Sequence, residues 1–278
     1  MRLVLKTMVS NQAEIPFLWM MFSEAQPYVD QIIVTEFDHS HSGLPRDFLF
    51  DEHLHEFSTA FPQLRYFQGK NLPGVIKNAQ TPDDHHHNEK LMRGWFASQV
   101  SLRSSDVVFS TDADEVLYSS TYQWVLDHFT WRTRKGVKFR LHQFFYRPNY
   151  LWVGHEFVAP VALRFGHYNR EYPNQWRYQG YRLPGYWGVH FSWCIPVVEM
   201  EKKVENYSHA AEHQHVRGAQ TFESARRDKV FPFSERDFRL EEISFDSPIL
   251  PQSFFQHAHR LEPEVLGEGL DPNRLRSS

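Results

Sequence analysis

The chain opens with an apolar run at 3–8, LVLKTM, followed by Ser10 and Asn11 as capping residues and by Ile15, Leu18, Trp19 and Phe22 on one helical face. This spacing predicts a strand and then a helix. Residues 31–36, QIIVTE, form a β-branched run of the fully covered kind, closed by a polar stretch over 37–43. A βαβ unit therefore begins the protein. The pattern next predicts a helix over 50–60 and a third strand over 64–67. A polar loop carrying two prolines and the run Asp83-Asp84-His85-His86-His87 follows, ending in a helix over 88–102 with Leu91, Trp95 and Phe96 inward.

Residues 105–115, SDVVFSTDADE, are the most informative segment: a short buried strand, 107–109, runs directly into Asp112, Asp114 and Glu115. In an open α/β sheet ligands are met beyond the carboxyl ends of the strands. From 137 to 145 apolar residues alternate with Lys138, Arg140 and His142, the signature of a half-buried strand. Further strands are predicted at 150–153, 158–165 and 186–193, then a helix over 197–206. Beyond 244 prolines and polar residues leave a docked tail. The fold class is α/β, βαβ in the first half and mixed in the second.

Composition narrows the function classes. With 41% hydrophobic and 23% charged residues in 278, the chain can bury one large core. Lys+Arg 30 against Asp+Glu 34 gives 30 − 34 = −4, which lacks the basic excess a nucleic-acid or anionic-membrane surface needs. Cys194 stands alone, so no internal disulfide and no cysteine zinc knuckle can form. No apolar stretch of about 18 residues appears that would span a bilayer. A soluble, cytoplasmic protein in a reducing environment is expected.

Two aspartates separated by one residue at the end of a strand can face one cavity and hold a hard divalent cation, which prefers oxygen ligands. Asp112 and Asp114 are that pair. Glu115 sits so near them that capping the next turn competes with ligation. Asp83 to His87 form a run of possible ligands, but consecutive residues cannot all converge on one ion, so a solvated or acceptor-side loop is expected there. Cys194, with no base nearby and Ile195-Pro196 after it, reads as structural.

Residues 106–117 resemble the D-D-hydrophobic-S-D-x-D-E motif of glycosyltransferase family 17, the family of the bisecting N-acetylglucosaminyltransferases. Residues 14–46 are similar to its opening pattern of an acidic-led helix, a strand ending in Glu and a T/S-x-S-G-x-P-K loop, here with Arg46 in the basic position. Glu89 and Arg93 match its E-x-x-x-R helix. Residues 187–194, WGVHFSWC, resemble its G-W-H-x-S-W-C strand, followed by Lys202 or Lys203 and Ser208-His209. Gly188 and Val189 separate Trp187 from His190, and His209-Ala210-Ala211-Glu212 stands where the family has His-x-Glu.

The resemblance implies a GT-A fold, a UDP-sugar donor such as UDP-GlcNAc, another UDP-hexose or UDP-xylose, Mn²⁺ or Mg²⁺ at the Asp-x-Asp, and transfer with inversion to a glycan hydroxyl. It implies a single catalytic domain over 1–244, with a nucleotide half at 1–118 and an acceptor half at 119–244, and a tail over 245–278. The ends of the first two strands, Thr7, Val9 and Glu36, are then expected to line the nucleotide pocket with Asp112, Ala113 and Asp114. Arg93 either pairs with Glu89 or reaches the diphosphate. His190 and His209 are the expected additional metal ligands. Inversion needs a general base, for which Glu156, Glu212 and His190 are proposed, with Asp228 behind them. Tyr186, Trp187, Phe191 and Trp193 are the expected sugar-stacking set. Nucleotide sugar and glycan are the partners, with neither nucleic acid nor stable membrane insertion. Two other classes remain open from the residues alone: a metal-dependent phosphoester or pyrophosphate hydrolase, and a carbohydrate-binding protein without activity.

Overall fold

The first half of the chain runs β1 (Leu3–Met8), α1 (Ile15–Ala25), β2 (Gln31–Phe37), α2 (Leu54–Ala60), β3 (Leu64–Gly69), α3 (Pro82–Gln99) and β4 (Val107–Ser110). Then come β5 (Glu115–Leu117), α4 (Ser119–His128), β6 (Val137–Lys138), β7 (His142–Phe145), β8 (Arg147–Val153), β9 (Val161–Arg164), β10 (Tyr181–Arg182) and β11 (Gly188–His190). The remainder is α5 (Val197–Asn206), α6 (Ala219–Asp228), β12 (Arg239–Glu242), α7 (Gln252–His257) and α8 (Pro263–Leu266). The computed structural model describes residues 1–129, 136–167, 180–210, 212–213, 219–234 and 238–267.

Seven strands form the main sheet in the order β10-β6-β9-β4-β1-β2-β3, and five form a second in the order β12-β8-β7-β11-β5. The strands β4, β1, β2 and β3 are mutually parallel, whereas β9 returns antiparallel to β4. The sequence expectation of an α/β protein with a mixed second half holds. The unbroken apolar runs of β1 and β2 arise because helices cover both faces. Leu3, Leu5, Ile32 and Val34 enter the main core beneath α1, while Val4 and Ile33 meet Phe96 of α3 on the other face. Helix α1 follows a capping box in which the Asn11 side chain accepts from Ala13 N and Glu14 reaches back to the Asn11 backbone.

Several elements differ from the pattern reading. The helix placed over 88–102 begins earlier, at Pro82, because Thr81 and Asp84 close a capping box around a proline in its first turn. The histidine run is therefore helical rather than part of a loop. The single strand read over 137–145 divides: β6 joins the main sheet and β7 the second, with Phe139 and Leu141 buried at the crossover. Alternation survives such a change of sheet, so periodicity alone does not reveal it. The acidic segment continues into β5, which pairs antiparallel with β11. Residues 245–267 carry α7 and α8 and pack on the core: Phe254 and Ala258 are fully buried, Val265 and Leu266 nearly so, and Ser253 N donates to Glu24 at 2.9 Å. No helix among the described residues is long and apolar enough to cross a membrane.

Candidate active site

Beyond β4 the chain turns sharply, and the turn is fixed by its own carboxylate. Thr111 N donates to Lys6 O at 3.1 Å, and Asp112 N donates to Glu115 Oε2 at 2.8 Å. Glu115 is fully buried and supports the turn rather than opening into solvent. Phe191 N donates to Asp114 O at 2.9 Å, so the second sheet holds the other end. The result directs Asp112, Ala113 and Asp114 into a cavity of about 780 Å³, within the usual size range of small-molecule sites.

Each aspartate meets a protein cation. Arg93 spans Asp112 with two bonds, Nη1 to Oδ1 at 2.5 Å and Nη2 to Oδ2 at 3.0 Å, while its Nε donates to Glu89 at 2.8 Å. Such a planar fork fixes direction as well as charge. Lys203 Nζ donates to Asp114 Oδ2 at 2.9 Å and to Ser192 O at 2.9 Å, and lies 3.6 Å from Glu14. His190 Nε2 is 3.4 Å from Asp114 Oδ1, and the imidazole ring stacks on Phe157. Burial pushes the Asp114 carboxyl up, but Lys203 and then His190 outweigh it and hold it below the usual carboxylate range. Burial raises the Glu14 carboxyl, with Lys203 opposing. Burial would lower the Arg93 guanidinium, yet Asp112 and Glu89 lift it well above its ordinary value.

The sequence-predicted residues fall into three groups. Arg93, Asp112, Ala113, Asp114, His190 and His209 all line the cavity. Thr7, Val9 and Glu36 do not: in the alternation of β1, Met8 and then Ser10 reach it, while Val9 joins the main core. Glu36 is fully buried and accepts from Leu49 N at 2.7 Å, Phe50 N at 3.1 Å and the Tyr66 hydroxyl at 2.7 Å, which makes it an anchor for the following loop. Arg46 works in the same way, donating to Phe37 O, Ser10 O and Val9 O and so tying the ends of β1 and β2. Gly43 in that loop has φ +69°, and a Cβ there would meet Ile76 O at 2.0 Å.

Of the bases, Glu156 is exposed outside the cavity lining, bonded to Arg140 and Arg182. The Arg182 hydrogen bond lowers its pKa, which makes it a weaker base. Asp228 is exposed and paired with Arg227 at the end of α6. Glu212 is outside the cavity lining, with its Oε2 2.8 Å from Nδ1 of the lining residue His209. Among the aromatics, Trp193 lines the cavity, but Phe191 is core, Trp187 packs against Trp124, and exposed Tyr186 stacks on His142. Cys194 is buried, and burial pushes its thiol well up, as a structural residue requires.

Pattern reading missed Glu14, His86, Trp152 and Phe231 as cavity residues and left Lys202 and Lys203 undivided. Helical spacing separates the lysines: Met200, Lys203 and Val204 share the inward face of α5, whereas Lys202 is exposed beside Glu199. Among the described residues, one group of three potential ligands brings its donor atoms within 4.8 Å of one another: His86, His209 and Glu212. His209 thus gathers with α3 and the rim, and Asp112, Asp114 and His190 form no comparably close triad.

The model of glycosyltransferase family 17 matches residues 2–231. No curated protein matches the chain. A solved structure of 4-diphosphocytidyl-2C-methyl-D-erythritol synthase is similar over 61% of this chain and 78% of its own, at 15% identity and a TM-score of 0.38.

Proposed function

The chain belongs to glycosyltransferase family 17 and is a glycosyltransferase, and from this premise we propose that it transfers a sugar from a UDP-sugar to a glycan hydroxyl, with inversion and with the help of a divalent cation. The hydrolase and inactive-lectin alternatives give way to the family. The observation that carries the proposal is the placement of Asp112 and Asp114 on the wall of one large cavity at the carboxyl end of β4. Two carboxylates are donor types that suit Mn²⁺ or Mg²⁺, so Asp112 and Asp114 would hold the ion. When bound, such an ion neutralises diphosphate charge and improves the leaving group.

The protein's own groups do the rest. Arg93 holds both oxygens of Asp112 in a fixed direction, and Lys203 holds Oδ2 of Asp114 while also donating to Ser192 O, with Glu14 3.6 Å away. Trp152, Phe157, Trp193 and Phe231 line the cavity and give it aromatic surface against which a sugar can pack. His190, which lines the cavity, is the base we assign for the acceptor hydroxyl.

Thermal melting of the full chain with UDP and UDP-sugars, with and without Mn²⁺, tests this reading, because a ligand of the folded state raises its melting point by mass action. A nucleotide shift that needs Mn²⁺ and disappears in Asp114→Asn is expected. No shift with any uridine nucleotide, or an equal shift in the variant, would overturn it. Loss of the cation should slow turnover on the order of a thousandfold, at about 1.4 kcal/mol per decade.

A further inference from the structure

The cavity mouth carries a second group of potential ligands that the proposed chemistry at Asp112 and Asp114 does not use. His86 projects from α3, and His209 and Glu212 from the turn after α5, with one donor atom from each within 4.8 Å of the others. His209 Nδ1 lies 2.8 Å from Glu212 Oε2, and His86 Nε2 lies 3.9 Å from Glu212 Oε1. The two imidazoles meet edge to face at 5.2 Å. We propose that His86, His209 and Glu212 form a binding site for a transition-metal ion of the zinc type at the cavity mouth.

Three observations support the assignment. The donor set, two imidazoles and one carboxylate, suits Zn²⁺ and its neighbours far better than Mg²⁺ or Ca²⁺, which take oxygen. His86 also has the supporting contact expected of a metal-bound histidine: its Nδ1 faces Glu89 Oε2 at 3.5 Å, leaving Nε2 for the ion. Glu89 is itself fixed by Arg93, so the orientation of His86 is built from beneath. Finally, the donor atoms already lie within 4.8 Å of one another, close to coordination spacing. Donors around a tetrahedral ion at about 2.0–2.1 Å stand roughly 3.4 Å apart. The His86, His209 and Glu212 side chains are 41%, 47% and 42% exposed, so none is locked in place by core packing.

Three protein ligands leave a coordination position for water or for an oxygen of a molecule in the cavity, which His86 and His209 both line. An ion there would also link α3 to the turn carrying Tyr207, whose hydroxyl bonds His213. Nothing in the proposal depends on the donor sugar or on the cation proposed at Asp112 and Asp114.

The test is titration of the full-length protein with Co²⁺ in the absence of nucleotide, read by the strong visible absorption of tetrahedral or five-coordinate cobalt, followed by displacement with Zn²⁺. One equivalent is expected to give the band. His86→Gln, His209→Gln and Glu212→Gln should each weaken binding at least tenfold, while Asp114→Asn retains it. Melting curves of the three variants serve as the folding control, and exposed positions should leave them unchanged. The proposal is overturned if the band survives His86→Gln in a folded protein, if it follows Asp114→Asn instead, or if Co²⁺ binds only at millimolar concentration. Failure here leaves the Mn²⁺-dependent nucleotide shift untouched, so the two readings fall separately.

Discussion

Replacing Lys203 by Met keeps the length of the side chain and removes only its charge and donors, which isolates the buried electrostatics of the site. Lys203, Asp114 and Glu14 have side chains 13%, 6% and 5% exposed, so none of the three exchanges its partner freely for water. Breaking a buried pair from one side costs about 3–5 kcal/mol, since the remaining carboxylate stays desolvated and unbalanced. For a chain of this size that is a fall in melting temperature of roughly 6–10 °C, at about 2 °C per kcal/mol. The sign with pH follows from the directions of the shifts. In the wild type, the Asp114 carboxyl is held low by Lys203, so its stabilisation is present above the ordinary carboxylate range and is lost only as pH falls through the depressed value. In the variant, burial acts unopposed by Lys203 on both Asp114 and Glu14. Their folded-state pKa values then rise, and the associated stability is lost as pH climbs through those raised values. The gap between the two proteins should therefore be widest near pH 8 and narrow towards pH 5. Urea denaturation at the two pH values measures it, and Lys203→Met/Asp114→Asn should recover at least half of the loss. A cost below about 1 kcal/mol at pH 8, or a gap independent of pH, would refute the account of a buried charge cluster.

Arg93→Lys should cost about 1.5–3 kcal/mol in denaturation and weaken nucleotide binding, because an ammonium cannot satisfy Glu89 and both oxygens of Asp112 at once. An unchanged Kd for UDP in that variant would remove Arg93 from the donor site. Glu36→Ala strands two backbone donors and the Tyr66 hydroxyl and should destabilise by about 3–6 kcal/mol, yet leave UDP affinity of the folded protein unchanged; a selective loss of affinity would restore Glu36 to the nucleotide pocket. Burial lowers His41 from 6.5 to about 4, so the unfolded chain takes up a proton that the folded one refuses, and stability should fall between pH 6.5 and pH 4. The contribution is on the order of 3 kcal/mol, and His41→Gln should flatten that part of the stability curve; an identical slope in the variant would discount it.

The parallel strands and the Asp112-x-Asp114 turn were legible because both depend on local pattern: an apolar run covered on two faces, ended by acids. Glu36 shows where that logic stops. Its position at a strand end was read correctly, but the loop that returns Leu49 and Phe50 over it was invisible, so an anchor looked like a ligand contact. His86 was missed for a different reason. Once Thr81 is recognised as the cap of α3, His86, Glu89 and Arg93 fall on one face, but reading the histidines as loop residues conceals that register. Trp152 and Phe231 reach the cavity from distant parts of the chain, and no spacing rule joins them. Glu156 has no partner visible along the sequence, because Arg140 and Arg182, which claim it, come from 16 and 26 residues away.

Helix α3 acts as a ruler. His86 and Arg93 are seven residues apart, which on an α-helix is close to two full turns and about 10.5 Å of rise, and both face the same cavity. Deleting or inserting one residue between them would swing one end by about 100° relative to the other. Either the guanidinium would leave its aspartate or the imidazole would leave the mouth. Grafting, loop exchange or recombination in this protein can therefore alter what precedes Thr81 or follows Gln99, but must preserve the count between those two side chains.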